Sequence, residues 1–206
     1  MKVLYIDTSS SYLYSGIVCD NKLVAAIKEN LGQELSCVAL PKIASMFEDN
    51  DMKPADIDKI IVVNGPGSFT GIRVGLTIAK VYAWSLNIPI TTITSLEAMK
   101  ISCNYDGPIV SIIDARRDYS YASIYDKEKC IMKPQHIKNE EIIKVLNTLD
   151  SYMIITNDET SLSGEKCSYN PDILSIVNKY VEKENINPHL LNPEYLKLTE
   201  AEESRR

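Results

Sequence analysis

Residues 65–71 read Gly-Pro-Gly-Ser-Phe-Thr-Gly, between an apolar run at 59–64 and a helical pattern beginning at Thr70. A glycine-rich passage into a helix leaves backbone N–H groups free at the positive end of the helix dipole, which is the chemistry of an anion site. The spacing matches neither common phosphate motif: no lysine stands where a P-loop needs one, and Thr70 occupies the third glycine position of the dinucleotide fingerprint. Gly65, Gly67, Ser68, Thr70 and Gly71 therefore admit two readings, an anion cradle or a tight turn capped by Ser68 or Thr70. Asp7, followed by Thr8 and Ser9, and Asp114, followed by Ala115 and Arg116, each end an apolar run. Carboxylates at matching strand ends could hold a hydrated Mg²⁺, and the favoured reading is that each closes its own turn through side-chain hydrogen bonds.

Other chemistry is sparse. His136 and His189 are the only histidines and have no metal-ligand spacing, so no metal site is expected. There is no Gly-x-Ser-x-Gly elbow, and no cysteine has a local nucleophile signature.

The elements that must carry these residues follow from periodicity. Residues 2–8, 12–18 and 22–29 read as strands joined by short polar turns, an antiparallel meander. Helical spacing covers about Ser36–Asp49, with Pro41 near its start, and a buried strand is predicted at 59–64. Thr70–Leu86 is the strongest helix; a strand at 90–94 and a short helix from Ser95 follow. On the long helix Gly71, Gly75, Ala79 and Ala83 recur every four residues and share one face. Such a stripe admits close backbone approach, either by this chain's own sheet or by a second subunit with Tyr82 and Trp84 as anchors.

A shift of 107 residues without a gap lays 5–18 over 112–125, matching Ile6 with Ile113, Asp7 with Asp114, Tyr12 with Tyr119, Tyr14 with Tyr121 and Ile17 with Ile124. Each copy continues as strand, helix and strand, the second with a helix near 139–149 and a strand at 152–156. A duplicated βββαβ unit with added helices is an α/β plan of two mixed sheets, that of the actin-like ATPase and sugar-kinase superfamily. The expected halves are 1–105 and 106–206.

The chain has 206 residues, 45% hydrophobic and 24% charged, with a formal charge of −6. That charge argues against strong nucleic-acid binding by this chain alone. The opening "MKVLYIDTS" lacks the apolar core of a signal peptide, and no stretch approaches the roughly 20 apolar residues of a membrane span. Five scattered cysteines without a CxxC pair point to reduced thiols and a cytoplasmic protein.

The segment "NGPGSFTGIRVGLTIAK" (64–80), leading into "ITSLEAM" (93–99), resembles the TsaB (YeaZ) family of the bacterial tRNA threonylcarbamoyladenosine system. "YIDTS", "IDARRDYSYASIYD" (113–126) and "NPEYLKLTEA" (192–201) extend the resemblance over most of the chain. The resemblance implies a non-catalytic partner that binds and activates TsaD, the catalytic subunit for threonylcarbamoyl transfer to N6 of adenosine 37. It further implies that the ATPase TsaE joins the pair, that ATP and Mg²⁺ are used by the complex while this chain requires no cofactor, and that tRNA is met only through the complex. The seam expected on this basis comprises Gly71, Gly75, Leu76, Ala79, Tyr82 and Ala83, with a homodimer on the same face when TsaD is absent. Gly75→Leu is then expected to break pairing without unfolding the monomer. The cleft residues Asp7, Thr8, Ser9, Gly65, Gly67, Ser68, Thr70, Asp114 and Arg116 are expected to be vestiges of a nucleotide site. Three features depart from the family: Leu35-Ser36 stands where His-Ser is common, Gly164 comes late in the loop after 156, and the C-terminal segment is short. The alternative reading is an independent ATP-dependent phosphotransferase or hydrolase of the actin-like class.

Overall fold

Three β-rich runs separated by tight polar turns fold back on one another as β1 (Lys2–Asp7), β2 (Tyr12–Cys19) and β3 (Lys22–Asn30), in the computed structural model that describes residues 1–197. Asp20 and Asn21 take positive φ at the β2–β3 turn, a conformation for which Asn and Asp side chains are better suited than most. After α1 (Leu35–Glu48) come β4 (Lys59–Val63), α2 (Phe69–Ser85), β5 (Ile90–Ile93) and α3 (Ser95–Ser102). The first sheet has the order β3-β2-β1-β4-β5, antiparallel through the meander and parallel from β1 to β5.

The plan is repeated. β6 (Pro108–Asp114), β7 (Tyr119–Asp126), β8 (Lys129–Lys138), α4 (Asn139–Leu146), β9 (Met153–Ile155) and β10 (Glu165–Cys167) give the order β10-β9-β6-β7-β8, the same order read from the other edge. β6 pairs antiparallel with β7 and parallel with β9. α1 and α2 cover the outer face of the first sheet, α4 covers that of the second, and a middle layer of apolar residues including Tyr5, Tyr14, Leu96 and Ile176 lies between. Among the described residues no helix is long and apolar enough to cross a membrane.

The strand register corrects the gapless repeat. Ile113 pairs with Tyr121, as Asp7 pairs with Tyr14, so β2 and β7 correspond by 107 residues but β1 and β6 by 106. Because side chains alternate across a strand, a one-residue slip exchanges faces. Ile6 accordingly packs under the outer helices, while Ile113 packs in the middle layer. The matches of Tyr12, Tyr14 and Ile17 stand; those of Ile6 and Asp7 do not.

The chain beyond β10 was not anticipated as regular structure. It forms α5 (Ile173–Tyr180), whose Ile173, Ile176 and Val177 are buried in the middle layer against the first sheet. Asp172 caps the helix by accepting from Ser175 N–H. The following segment runs back along the first sheet: Lys59 Nζ donates to the carbonyls of Val181 and Lys183, and Thr91 Oγ1 to that of Glu184. The two sheets divide between Ile93 and Pro108, and α5 and the segment after it pack on the first sheet. The last part of the 192–201 motif, residues 198–201, lies outside the described residues.

Candidate functional site

A cleft of ≈ 850 Å³ lies where the ends of the two sheets face each other. The first half contributes Ser9–Tyr12 from the β1–β2 turn, Gly67–Thr70, and Ser95 and Met99 of α3. The second half contributes residues 112–116, Tyr121, Asn157 and Asp158, and Tyr169 closes one wall.

Asp7 does not face this space. Its carboxylate is 1% exposed. Oδ1 accepts from Ser9 N–H (2.9 Å) and Ser9 Oγ (2.7 Å), and Oδ2 from Tyr169 OH (3.1 Å), with Tyr5 OH at 3.4 Å. The carboxylate closes its own turn, the second of the two readings. Enclosed and engaged in this way, it presents no open face to the cleft, and Asp114 lies on the opposite pleat. Asp114 is exposed, accepts from Arg116 N–H, and donates its own N–H to Asp158 Oδ2. Arg116, Arg117 and Asp118 all have positive φ in the exposed turn that follows. The two carboxylates are therefore not brought together, and the metal-pair reading, the other of the two the sequence left open, does not hold.

Burial raises the pKa of Asp7, outweighing the hydrogen bonds from Ser9 and the tyrosines that lower it. The folded chain then holds this proton more tightly than the unfolded chain, whose value is near 3.8. The Asp7 contribution to stability is full below that value and is lost as pH rises through the higher folded value. Asp7→Asn should lack this decline, so urea-unfolding free energies of parent and variant, measured across the acid range, should diverge with rising pH. Parallel profiles would contradict the assignment.

The glycine loop is likewise engaged internally. Ser68 N–H donates to the carbonyl of Ser9 (2.7 Å), and Ser68 Oγ caps α2 by accepting from Gly71 N–H. Gly67 has φ +154°, and a Cβ there would lie 2.2 Å from the Ser9 carbonyl oxygen. Gly65, at φ +112°, sits against the carbonyl of Glu194, whose N–H donates to the carbonyl of Asn64. Thr8 is buried and donates to the Gly71 carbonyl (2.7 Å). Of the loop and turn residues proposed for an anion site, Ser9, Gly67, Ser68 and Thr70 line the cleft, Thr70 with its side chain exposed.

The small-residue stripe packs on its own sheet. Gly71, Gly75, Leu76, Ala79 and Ala83 are buried, and Tyr82 is half-buried with its ring edge-on to Phe47 of α1 at 6.5 Å. A Cβ on Gly71 would lie 2.1 Å from the Thr8 carbonyl oxygen, which is why the stripe is needed: α2 rests almost on the β1 turn. In the folded chain these small residues cannot also form a seam with a partner, which corrects the expected interface. The opposite face of α2 is open. Val81 and Trp84 are 52% and 65% exposed, and Leu40 of α1 is 47% exposed. At the start of α2, Arg73 lies 3.6 Å over the Phe69 ring and donates to Tyr195 OH, and Tyr195 stacks on Phe69.

Sequence reasoning missed Tyr169 and α5. The signal was present in the apolar positions Tyr169, Ile173, Ile176, Val177 and Tyr180, which recur at helical spacing.

Two mixed sheets of matching strand order, flanked by helices and facing each other across a cleft, define a protein of the duplicated actin-like ATPase and sugar-kinase fold. Residues 29–202 match the family model "TsaD: tRNA N6-adenosine threonylcarbamoyltransferase". A TsaB protein of Bacillus subtilis, a tRNA threonylcarbamoyladenosine biosynthesis protein, is 33% identical over 98% of this chain and 96% of its own. The TsaB protein of Haemophilus influenzae is 26% identical over 77% of this chain and 78% of its own. The chain belongs to the TsaB (YeaZ) family. A solved Pseudomonas aeruginosa structure, described as similar to peptidase YeaZ, has the same fold: its TM-score is 0.79 at 17% identity, covering 95% of this chain and 99% of that one. A second, of YeaZ from Pseudomonas aeruginosa, has a TM-score of 0.75 at 16% identity over the same shares.

Proposed function

We propose that this chain serves tRNA threonylcarbamoyladenosine biosynthesis as a non-catalytic subunit that pairs with a TsaD homologue and activates it. Family membership supports the pathway. The pairing reading is carried by the outer face of α1 and α2, where Leu40, Val81 and Trp84 project apolar surface away from the core. Large exposed aromatic and aliphatic side chains on rigid helices are the usual anchors of protein interfaces. The non-catalytic reading is supported by Asp7, whose carboxylate is occupied by Ser9, Tyr5 and Tyr169. In this reading a TsaE homologue joins the pair and uses ATP and Mg²⁺. This chain requires no cofactor and meets tRNA only within the complex. A second copy occupies the same helical face when the partner is absent.

Reconstitution tests this. Threonylcarbamoyl-adenylate, tRNA, the TsaD homologue and this chain should together yield modified adenosine 37, and omission of either protein should abolish it. Transfer by this chain alone, or undiminished transfer without it, would overturn the proposal. In calorimetry the isolated chain should show no tight binding of Mg-ATP; tight binding lost in Asp7→Ala would favour the independent phosphotransferase.

A further inference from the structure

Cys103 and Cys167 come from opposite halves of the fold, 64 residues apart in sequence, yet their sulfurs lie 3.7 Å apart. Cys103 follows the last turn of α3, on the segment leading into β6, and Cys167 ends the edge strand β10. Both side chains are half-buried against the middle apolar layer. A disulfide requires the sulfurs to close from 3.7 Å to about 2 Å. We propose that Cys103 and Cys167 are a reversible oxidation site, forming an intramolecular disulfide that ties α3 to the end of β10.

The co-reactant is a low-molecular-weight disulfide of the glutathione type. Cys167 lines an open pocket with Tyr12, Asn157 and Lys166, so it meets the reagent first. Burial, and then contact with Cys167, pushes the Cys103 thiol up to about 12, so Cys103 is the poorer nucleophile and attacks second, where the 3.7 Å approach to Cys167 offsets its small thiolate fraction. The Cys167 thiolate attacks one sulfur of the reagent, releasing one thiolate and leaving a mixed disulfide. Cys103 loses its proton to solvent and attacks Cys167 Sγ, and the second reagent thiolate leaves. Two protein thiols are oxidised, one reagent disulfide is reduced to two thiols, and the two protons end on those thiols.

The consequence is mechanical. α3 carries Ser95 and Met99 on one side of the cleft, and the chain just after Cys167 carries Tyr169 on another. The bond would join the two walls through a short covalent path and hold the cleft at one width.

The test uses the full chain with Cys19, Cys37 and Cys130 replaced by serine, leaving only the pair. Treatment with oxidised glutathione should give a covalently single-chain species lacking two hydrogens, a single cross-linked peptide joining Cys103 to Cys167, and a melting temperature about 5–10 °C higher. Reductant should reverse all three. The further replacement Cys103→Ser should stop the reaction at the glutathione adduct. Two thiols still open to alkylation after treatment, or exclusively intermolecular products, would overturn the site. A disulfide that forms but lowers the melting temperature would overturn the clamp.

Discussion

Gly75→Leu is expected to unfold the chain. A Cβ at this position would lie 2.3 Å from Thr8 Oγ1 and 3.6 Å from Ile6 Cγ2, and three further carbons would be driven into the packed face between α2 and β1. Thr8 cannot move away cheaply, since it is fully buried and its hydroxyl donates to the Gly71 carbonyl. Replacing glycine in a helix gains at most about 1 kcal/mol from propensity. Overpacking combined with a broken buried hydrogen bond costs more, about 4 kcal/mol or above. Set against a total stability of about 5–15 kcal/mol, that leaves a chain that is marginal or insoluble. Thermal melting followed by circular dichroism reads the outcome directly. A variant melting within a few degrees of the parent would show that α2 is not seated on the β1 turn as described. This reverses what the small-residue stripe suggested by itself, namely that Gly75→Leu would break pairing and spare the fold.

Substitution on the other side of the same helix should have the converse effect. Val81→Asp combined with Trp84→Asp places two charges on exposed positions that contribute little to this chain's core. Exposed substitutions of this kind usually change stability by less than about 0.5 kcal/mol, so the melting temperature should move by about 2 °C or less. Binding to the TsaD homologue should weaken at least about 100-fold, because desolvating two unpaired carboxylates at an interface core is far more costly than exposing them. Calorimetry or sedimentation with the purified partner measures this. Unchanged affinity in a folded variant would place the seam elsewhere on the surface. Two variants on opposite faces of one helix, one read by melting and the other by binding, separate a structural role from an interface role.

Much of this architecture is legible in the sequence because strands and helices advertise their own periods. The predicted segments at 2–8, 12–18, 22–29 and 70–86 lie within a residue or two of β1, β2, β3 and α2. The repeated order of elements is also present in the residues, and it led to the two-sheet plan. What failed did so for definite reasons. The gapless repeat aligned Asp7 with Asp114 because identity counts ignore the pleat, and one residue more in the second turn moves the whole of β6 by one position. α5 was overlooked although its apolar spacing is helical, because the segment is short and flanked by loop-like residues.

The sequence by itself determined the local elements and their order as far as β9, the duplication and, through the motif at 64–80, the family. Only the tertiary structure decided which side each feature serves. A stripe of small residues on a helix records that something comes close, but not whether that is a sheet of the same chain or a partner; here the β1 turn fills it. An aspartate after an apolar run records a strand end, but its availability depends on Tyr169, 162 residues away, donating to it from above. Two cysteines without a motif become a pair only when β10 passes the end of α3. Periodicity and turn chemistry act over a few residues and can be read along the chain. Burial, hydrogen-bond engagement and proximity are set by contacts between distant segments, and no local pattern encodes them.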